Sequence, residues 1–283
     1  GDLETGVRAV SVIPGATEYG LSPDPATSLV RPGETVEHNR HILHAGNDWT
    51  ASIDELQAIC PNLQHVSLIV TWFGDDLRAG TCTIRPGVTV RQMGVETPAW
   101  RVSGLTRSDP DARLVSRVDG RPAYGGTPTD ASVIAAIRDL KARGLSVTLH
   151  PFIMMDVAQD NTLPDPYGGV AQAPYPWRGR ITCFPGPGQP GSVDRTAMAA
   201  GQVAAFIGTT QADDLDVSGE TVLPAPGADW GYRRMVLHMA RLAQIAGGVD
   251  AMLLGSELRG LTWLRGAGDT FPFVDALRQL AAD

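Results

Sequence analysis

Two stretches constrain the fold more than any others: HVSLIVTWF at 65–73 and LSVTLHPFIMM at 145–155. Each is short and apolar almost throughout, as suits a strand of a parallel sheet covered on both faces. Each also follows a helical pattern. Before the first, Asp48 is placed to cap a helix with apolar positions Trp49, Ile53, Leu56 and Ile59, which Pro61 ends. Before the second, Thr127 reads as the cap, Pro128 takes the first turn and Asp130 completes a capping-box pattern. Val133, Ile137 and Leu140 then line one face, and Gly144 stops the helix.

The same alternation extends both ways. A first strand is predicted over Val7–Ile13, stopped by Pro14-Gly15. A later helix opens at Asp229, with Met235, Met239, Leu242 and Ala246 on one stripe. Gly247-Gly248 leads into a strand over Ala251–Leu254, and residues 270–282 read as a last helix. The order β-α-β-α-β-α-β-α implies an α/β fold with a parallel sheet, doubly wound or barrel. Helix-to-strand turns are tight, whereas the strand-to-helix connections, about 78–126 and 155–228, are long. That asymmetry favours a (β/α)8 TIM barrel, where function sits on the loops after the strands. Four units make only the first half of a barrel and would leave two raw sheet edges. Residues 1–283 are therefore expected to be the N-terminal half of a barrel, with long loops at its C-terminal face. The uncapped end after Leu280 and the opening on Gly1 rather than Met suggest a segment of a longer polypeptide. A short helix is expected within 192–207.

Composition narrows the function. A formal net charge of −8 disfavours nucleic acid or an anionic membrane as the main partner. No apolar run approaches the roughly 20 residues of a membrane span, and no signal-peptide pattern opens the chain. The three cysteines form neither a disulfide framework nor a zinc motif. Cys60 reads as a small buried hydrophobe at a helix end. Cys82 and Cys183 fall in long loops, which leaves a disulfide between them open.

In a barrel, residues after the strands share one face. Those are Glu18 after the first strand, and Trp72, Asp75 and Asp76 at the end of the second. The third contributes His150 and Asp156, the second long loop Trp177, and the fourth strand Glu257. Carboxylates beside aromatic rings suit sugar chemistry: rings stack on pyranose C–H faces, and paired carboxyls act as acid and base. Glu257, behind the small residues Gly255 and Ser256, is the candidate acid/base; the others are candidate substrate-binding residues. That role needs apolar surroundings or a second carboxylate nearby. Each has a structural alternative. Glu257 could pair with Arg259 or Arg265, and Asp75-Asp76 with Arg78 reads as a loop-fixing group. His150 and His238 could be satisfied core histidines. His38, His41 and His44 look metal-like, but no neighbouring carboxylate or cysteine completes a site, so no metal and no cofactor is expected.

The stretches IPGATEYG, EHNRH, NDWTASIDELQ, PNLQHVSLIVTWFGDDLRAGTCTIRPGV and LLGSEL together resemble a family across nearly the whole chain. It is the TIM-barrel-like domain of the large baseplate "megatron", or host-specificity, protein of gene transfer agents and related phage-like tails. WFGDDLR with its CTIRPGV continuation is the most specific part. The barrel in turn is similar to a clan of glycoside hydrolases that includes endo-mannanases, through VSLIV, GLSVTLHP and GSEL. The resemblance implies a structural component of a tail baseplate or tail tip in a virion-like particle, made in the producing cell's cytoplasm. It implies other tail proteins and copies of itself, a trimer for instance, as partners. Cell-surface polysaccharide would be the ligand, with no nucleic acid bound by this segment. It places Glu257 where the clan has its acid/base, with Ser256 where many members carry Asn, and puts the nucleophile after a seventh strand, beyond Asp283. Glycoside hydrolysis of capsule or cell-wall polysaccharide is the enzymatic alternative.

Overall fold

The computed structural model describes residues 3–13 and 17–283. The predicted stop at Pro14-Gly15 lies outside the described residues. At the centre is a five-stranded sheet with four parallel strands, β1 (Ala9–Val12), β2 (His65–Gly74), β3 (Ser146–Met155) and β4 (Ala251–Met252), and a two-residue antiparallel strand, Ile84–Arg85, on the end of β2. The four lie side by side in chain order, each parallel to the next. A doubly wound sheet reverses strand order at a switch point; this one runs straight through, as successive strands of a barrel do. Among the described residues the sheet is open and does not close into a barrel.

The connecting helices are α1 (Asp48–Ile59), α2 (Asp130–Ala142), α3 (Ala197–Ile207), α4 (Tyr232–Ile245) and the terminal α5 (Pro272–Leu280). The expected stripes are largely present. Val133, Ile137 and Leu140 of α2 are buried, as are Met235, Met239 and Leu242 of α4 with Ala246 just beyond it. Gly144 follows α2 with φ +78°, a left-handed stop that glycine adopts without a Cβ clash. Cys60 is buried at the C-cap of α1.

Several boundaries move for identifiable reasons. Asn47, not Asp48, caps α1 by accepting from the Thr50 N–H at 2.8 Å, and Ile59 is half exposed rather than part of the stripe. Thr129, not Thr127, caps α2. The Thr127 hydroxyl instead donates to the Thr71 carbonyl and accepts from Gly87 N–H, both at 2.9 Å. Helix α4 starts at Tyr232, because Asp229 is occupied by Thr209, Thr210 and Gly231. β4 is shorter than expected: Leu253 N–H still reaches Leu149 O, but the Leu254 carbonyl turns to the Tyr232 hydroxyl at 2.6 Å. Cys82 and Cys183 are free thiols.

The two faces of the sheet differ. Val66, Leu68, Val70 and Trp72 of β2, with Val147, Leu149, Ile153 and Met155 of β3, merge with the helix residues into one core. The opposite parity of β3, namely Ser146, Thr148, His150, Phe152 and Met154, is only half buried. Ala9 and Ser11 of β1 and Ala251 of β4 are exposed. The strand register lines up Ser11, Ser67, Thr148 and Ala251 in one row across the sheet. Small residues in such a row keep this face flat and approachable.

Candidate functional site

Glu257 follows β4 with φ +55°. Left-handed backbone is costly for a residue with a Cβ, on the order of 1 kcal/mol, and such strain collects where a side chain must be aimed. The carboxylate is about half exposed, at 56%. Its partners among the described residues come from the second long loop. Trp177 donates its indole N–H to Oε2 at 2.6 Å, and Arg178 Nη2 lies 3.1 Å from the same oxygen. The expected partners are engaged elsewhere: Arg259 stacks on Trp263, and Arg265 pairs with Asp269.

Arg178 organises the site. Its side chain is only 7% exposed. Its Nε donates to the Ser256 carbonyl at 3.1 Å and its Nη2 to the Ser256 hydroxyl at 3.2 Å. Its guanidinium lies 3.6 Å over the Phe152 ring, a cation–π contact. Burial lowers its pKa, and the Glu257 charge works against that shift. His150 Nε2 meets the Ser256 hydroxyl at 2.7 Å. Burial, then the Arg178 charge, holds His150 below the ordinary histidine range and favours the neutral ring, with Glu257 opposing. Ser256 is thus a junction between the third strand and the loop, not merely a small gap. Gly179 permits the arrangement, since a Cβ there would stand 2.5 Å from the Trp177 ring. The result is a half-exposed carboxylate and indole on a rigid base of Arg178, His150, Phe152 and Ser256.

A second exposed indole lies nearby in the chain. Trp263 is 66% exposed and Trp177 47%. A cavity of about 280 Å3 is lined by Gly179, Gly260, Trp263, Arg259, Tyr167 and Asp194, contributed by the same two segments. Arg178 and Trp263 were missed by sequence reasoning, because they lie in irregular stretches. The WRGR run beside an expected aromatic was the available signal.

The other expected site residues are placed differently. Trp72 is fully buried on the helix side of β2, between Trp230 (6.0 Å) and His238 (5.3 Å). It shares the parity of Val66, Leu68 and Val70, so its ring is core and cannot stack on a ligand here. Asp156 is 0% exposed; it pairs with Arg113 Nε at 2.7 Å and accepts from the Ser116 hydroxyl at 2.5 Å. Glu18 is buried against Arg107 at 2.5 Å and accepts from Thr89 N–H at 2.7 Å. Asp76 is buried and bound by Arg78, Thr81 and Gln172. Asp75 accepts from the Thr83 N–H and hydroxyl at 2.7 and 2.6 Å. Glu18, Asp76 and Asp156 are buried and hold loops in place, a correction to the expected constellation, and the half-buried Asp75 is bound to Thr83. His238 is wholly buried, its Nε2 2.8 Å from Asp130. His38 bonds Ser28 and His41 bonds Asp48.

No helix among the described residues is long and apolar enough to cross a membrane. A comparison with curated proteins finds no match. Residues 230–283, which run from Trp230 through α4, β4 and Glu257 to α5, match the model of the GTA TIM-barrel-like domain.

Proposed function

We propose that the chain belongs to the tail baseplate or tail tip of a gene transfer agent, a phage-like particle. There it would face the host and hold cell-surface glycan at the Glu257 site. One observation carries the glycan reading. Glu257 and Trp177 form a half-exposed acceptor–ring pair, bonded at 2.6 Å and seated on a buried Arg178 base. A carboxylate can accept from sugar hydroxyls while an indole face covers the ring C–H surface. The cavity lined by Trp263, Arg259 and Tyr167 offers a second aromatic surface for further sugar units. The open sheet, with strands in sequential order, supports a barrel completed by further β/α units. Copies of the chain and other tail proteins are the partners this reading needs.

Hydrolysis would need a second carboxyl opposite Glu257, which the resemblance puts beyond Asp283 and which the carboxylates of this segment do not supply. A retaining glycosidase needs two carboxyls about 5–5.5 Å apart. Asp75, Asp76, Asp156 and Glu18 are all engaged in loop contacts. The test is to incubate the protein and its Glu257→Gln variant with purified host capsule and cell-wall polysaccharide. Retention of protein on the glycan without released oligosaccharide is expected. Release by the parent but not by the variant would make the site a glycoside hydrolase with Glu257 as its acid. Neither retention nor release would remove the glycan reading.

A further inference from the structure

Among the described residues, the buried side-chain nitrogens without a hydrogen-bond partner gather in one place. They are Trp72 Nε1, Arg85 Nε, Arg234 Nε and His238 Nδ1. They meet around Trp230: Arg234 Cζ lies 3.4 Å and Arg85 Cζ 5.6 Å from the Trp230 ring centre, Trp72 packs 6.0 Å from the same ring, and His238 packs on Trp72. Buried polar atoms are nearly always satisfied; of these four residues Arg234 is the one that lines a cavity, so it is the one whose unpaired edge asks for an occupant.

Arg234 is the centre of it. Four arginines are buried: Arg107, Arg178, Arg233 and Arg234. The first three have a carboxylate partner in Glu18 and Glu96, Glu257 and Asp283 respectively. Arg234, 3% exposed, has none within ion-pair distance among the described residues. A buried charge without a counter-charge is costly. Burial pulls its pKa down to about 10, against the raising effect of Asp111 and Asp229.

Its hydrogen bonds are one-sided. Nη1 donates to the carbonyls of Ala228 (2.9 Å) and Asp229 (3.3 Å). The other edge, Nε with Nη2, has only a long 3.3 Å contact to the Ser103 hydroxyl. That edge is the one with which arginine grips an oxyanion through two parallel bonds. Arg234 and Ser103 both line a cavity of about 350 Å3, together with Gly104, Asp111, Gly227 and Trp230. It lies at the N-terminal end of α4, whose dipole favours negative charge. Asp111, at the cavity, is already paired with Arg85 at 2.9 Å.

We propose that this cavity is a binding site for a small oxyanion, a carboxylate or phosphate group, held bidentately by the Nε–Nη2 edge of Arg234 with the Ser103 hydroxyl as a further donor. The site is independent of Glu257 and of the glycan reading. Its occupant supplies the missing counter-charge, so binding stabilises the fold.

The experiment is a thermal-shift titration of the protein with sodium phosphate and with sodium acetate, each against sodium chloride at equal ionic strength. It is paired with NMR of the Arg234 Nε–H signal. A saturable rise in Tm with a shifted Nε–H signal is expected in one anion but not in chloride. A phosphate preference marks a phosphate-bearing ligand; an acetate preference marks a carboxylate-bearing one. Arg234→Lys, which keeps charge but loses the fork, should weaken the response at least tenfold. Ser103→Ala, a milder change, should weaken it severalfold. If Arg234→Lys does not fold, the parent's Nε–H signal and Ser103→Ala decide. No saturable response to either anion, or a response that the variants leave unchanged, overturns the proposal.

Discussion

Asp156 and Glu257 each follow a strand of the same sheet, yet they live in opposite worlds. Asp156, just past β3, is fully enclosed and bound by Arg113 and Ser116. Glu257, past β4, is 56% exposed and held from one side by Trp177 and Arg178. The first stitches the long loop after β2 onto the end of β3. The second leaves half of its surface for something else. An acidic residue at a strand end is therefore no site by position alone; its counter-charges decide whether it is structural or available.

The strongest test of that contrast is stability. Asp156→Ala would strand Arg113 and the Ser116 hydroxyl and is expected to cost about 3–5 kcal/mol, read by chemical denaturation. A loss below about 1 kcal/mol, the range of exposed pairs, would mean that Asp156 is not the structural member of the two. Next is Gly126→Ala, since a Cβ there would stand 2.3 Å from Glu18 Cγ. Displacing the buried Glu18–Arg107 pair should cost about 1–3 kcal/mol, checked by the same melts.

A third test uses pH. Burial alone would push Asp76 upward, but its bonds from Arg78, Gln172 and Thr81 outweigh that and hold it below the ordinary carboxylate range. Such a group contributes stability above its unfolded pKa of about 3.9 and loses it as pH falls through the lower folded value. Asp76→Asn should therefore flatten the loss of stability below about pH 4. An unchanged acid limb would remove Asp76 from the structural group. The smallest effect is at Glu257 itself. Relief of its left-handed backbone should make Glu257→Gly more stable than Glu257→Ala by about 1 kcal/mol, measured by paired melts. Equal stability would show that the turn carries no strain.

Much of this was legible because periodicity is local. The stripes of α2 and α4 and the alternation of β3 follow from side chains within a few residues of each other. The caps were less so: Thr127 was drawn away by Thr71 and Gly87, partners 56 and 40 residues distant. The carboxylates failed for the same reason, since Arg113 reaches Asp156 across 43 residues of sequence. Trp72 is different, because its parity with Val66, Leu68 and Val70 already marked it as core. Glu257 was singled out by its small neighbours, yet its hydrogen-bond and ion-pair partners lie about 80 residues back in a Gly- and Pro-rich loop without periodicity.

The most direct measurement is calorimetric titration of purified host polysaccharide into four proteins: the parent, Glu257→Gln, Trp177→Ala and the loop-fixing control Asp75→Asn. The account predicts at least a tenfold loss of affinity for the first two variants and less than a twofold change for the control. Equal affinity in all four, or a loss in the control as large as at Glu257, would contradict it.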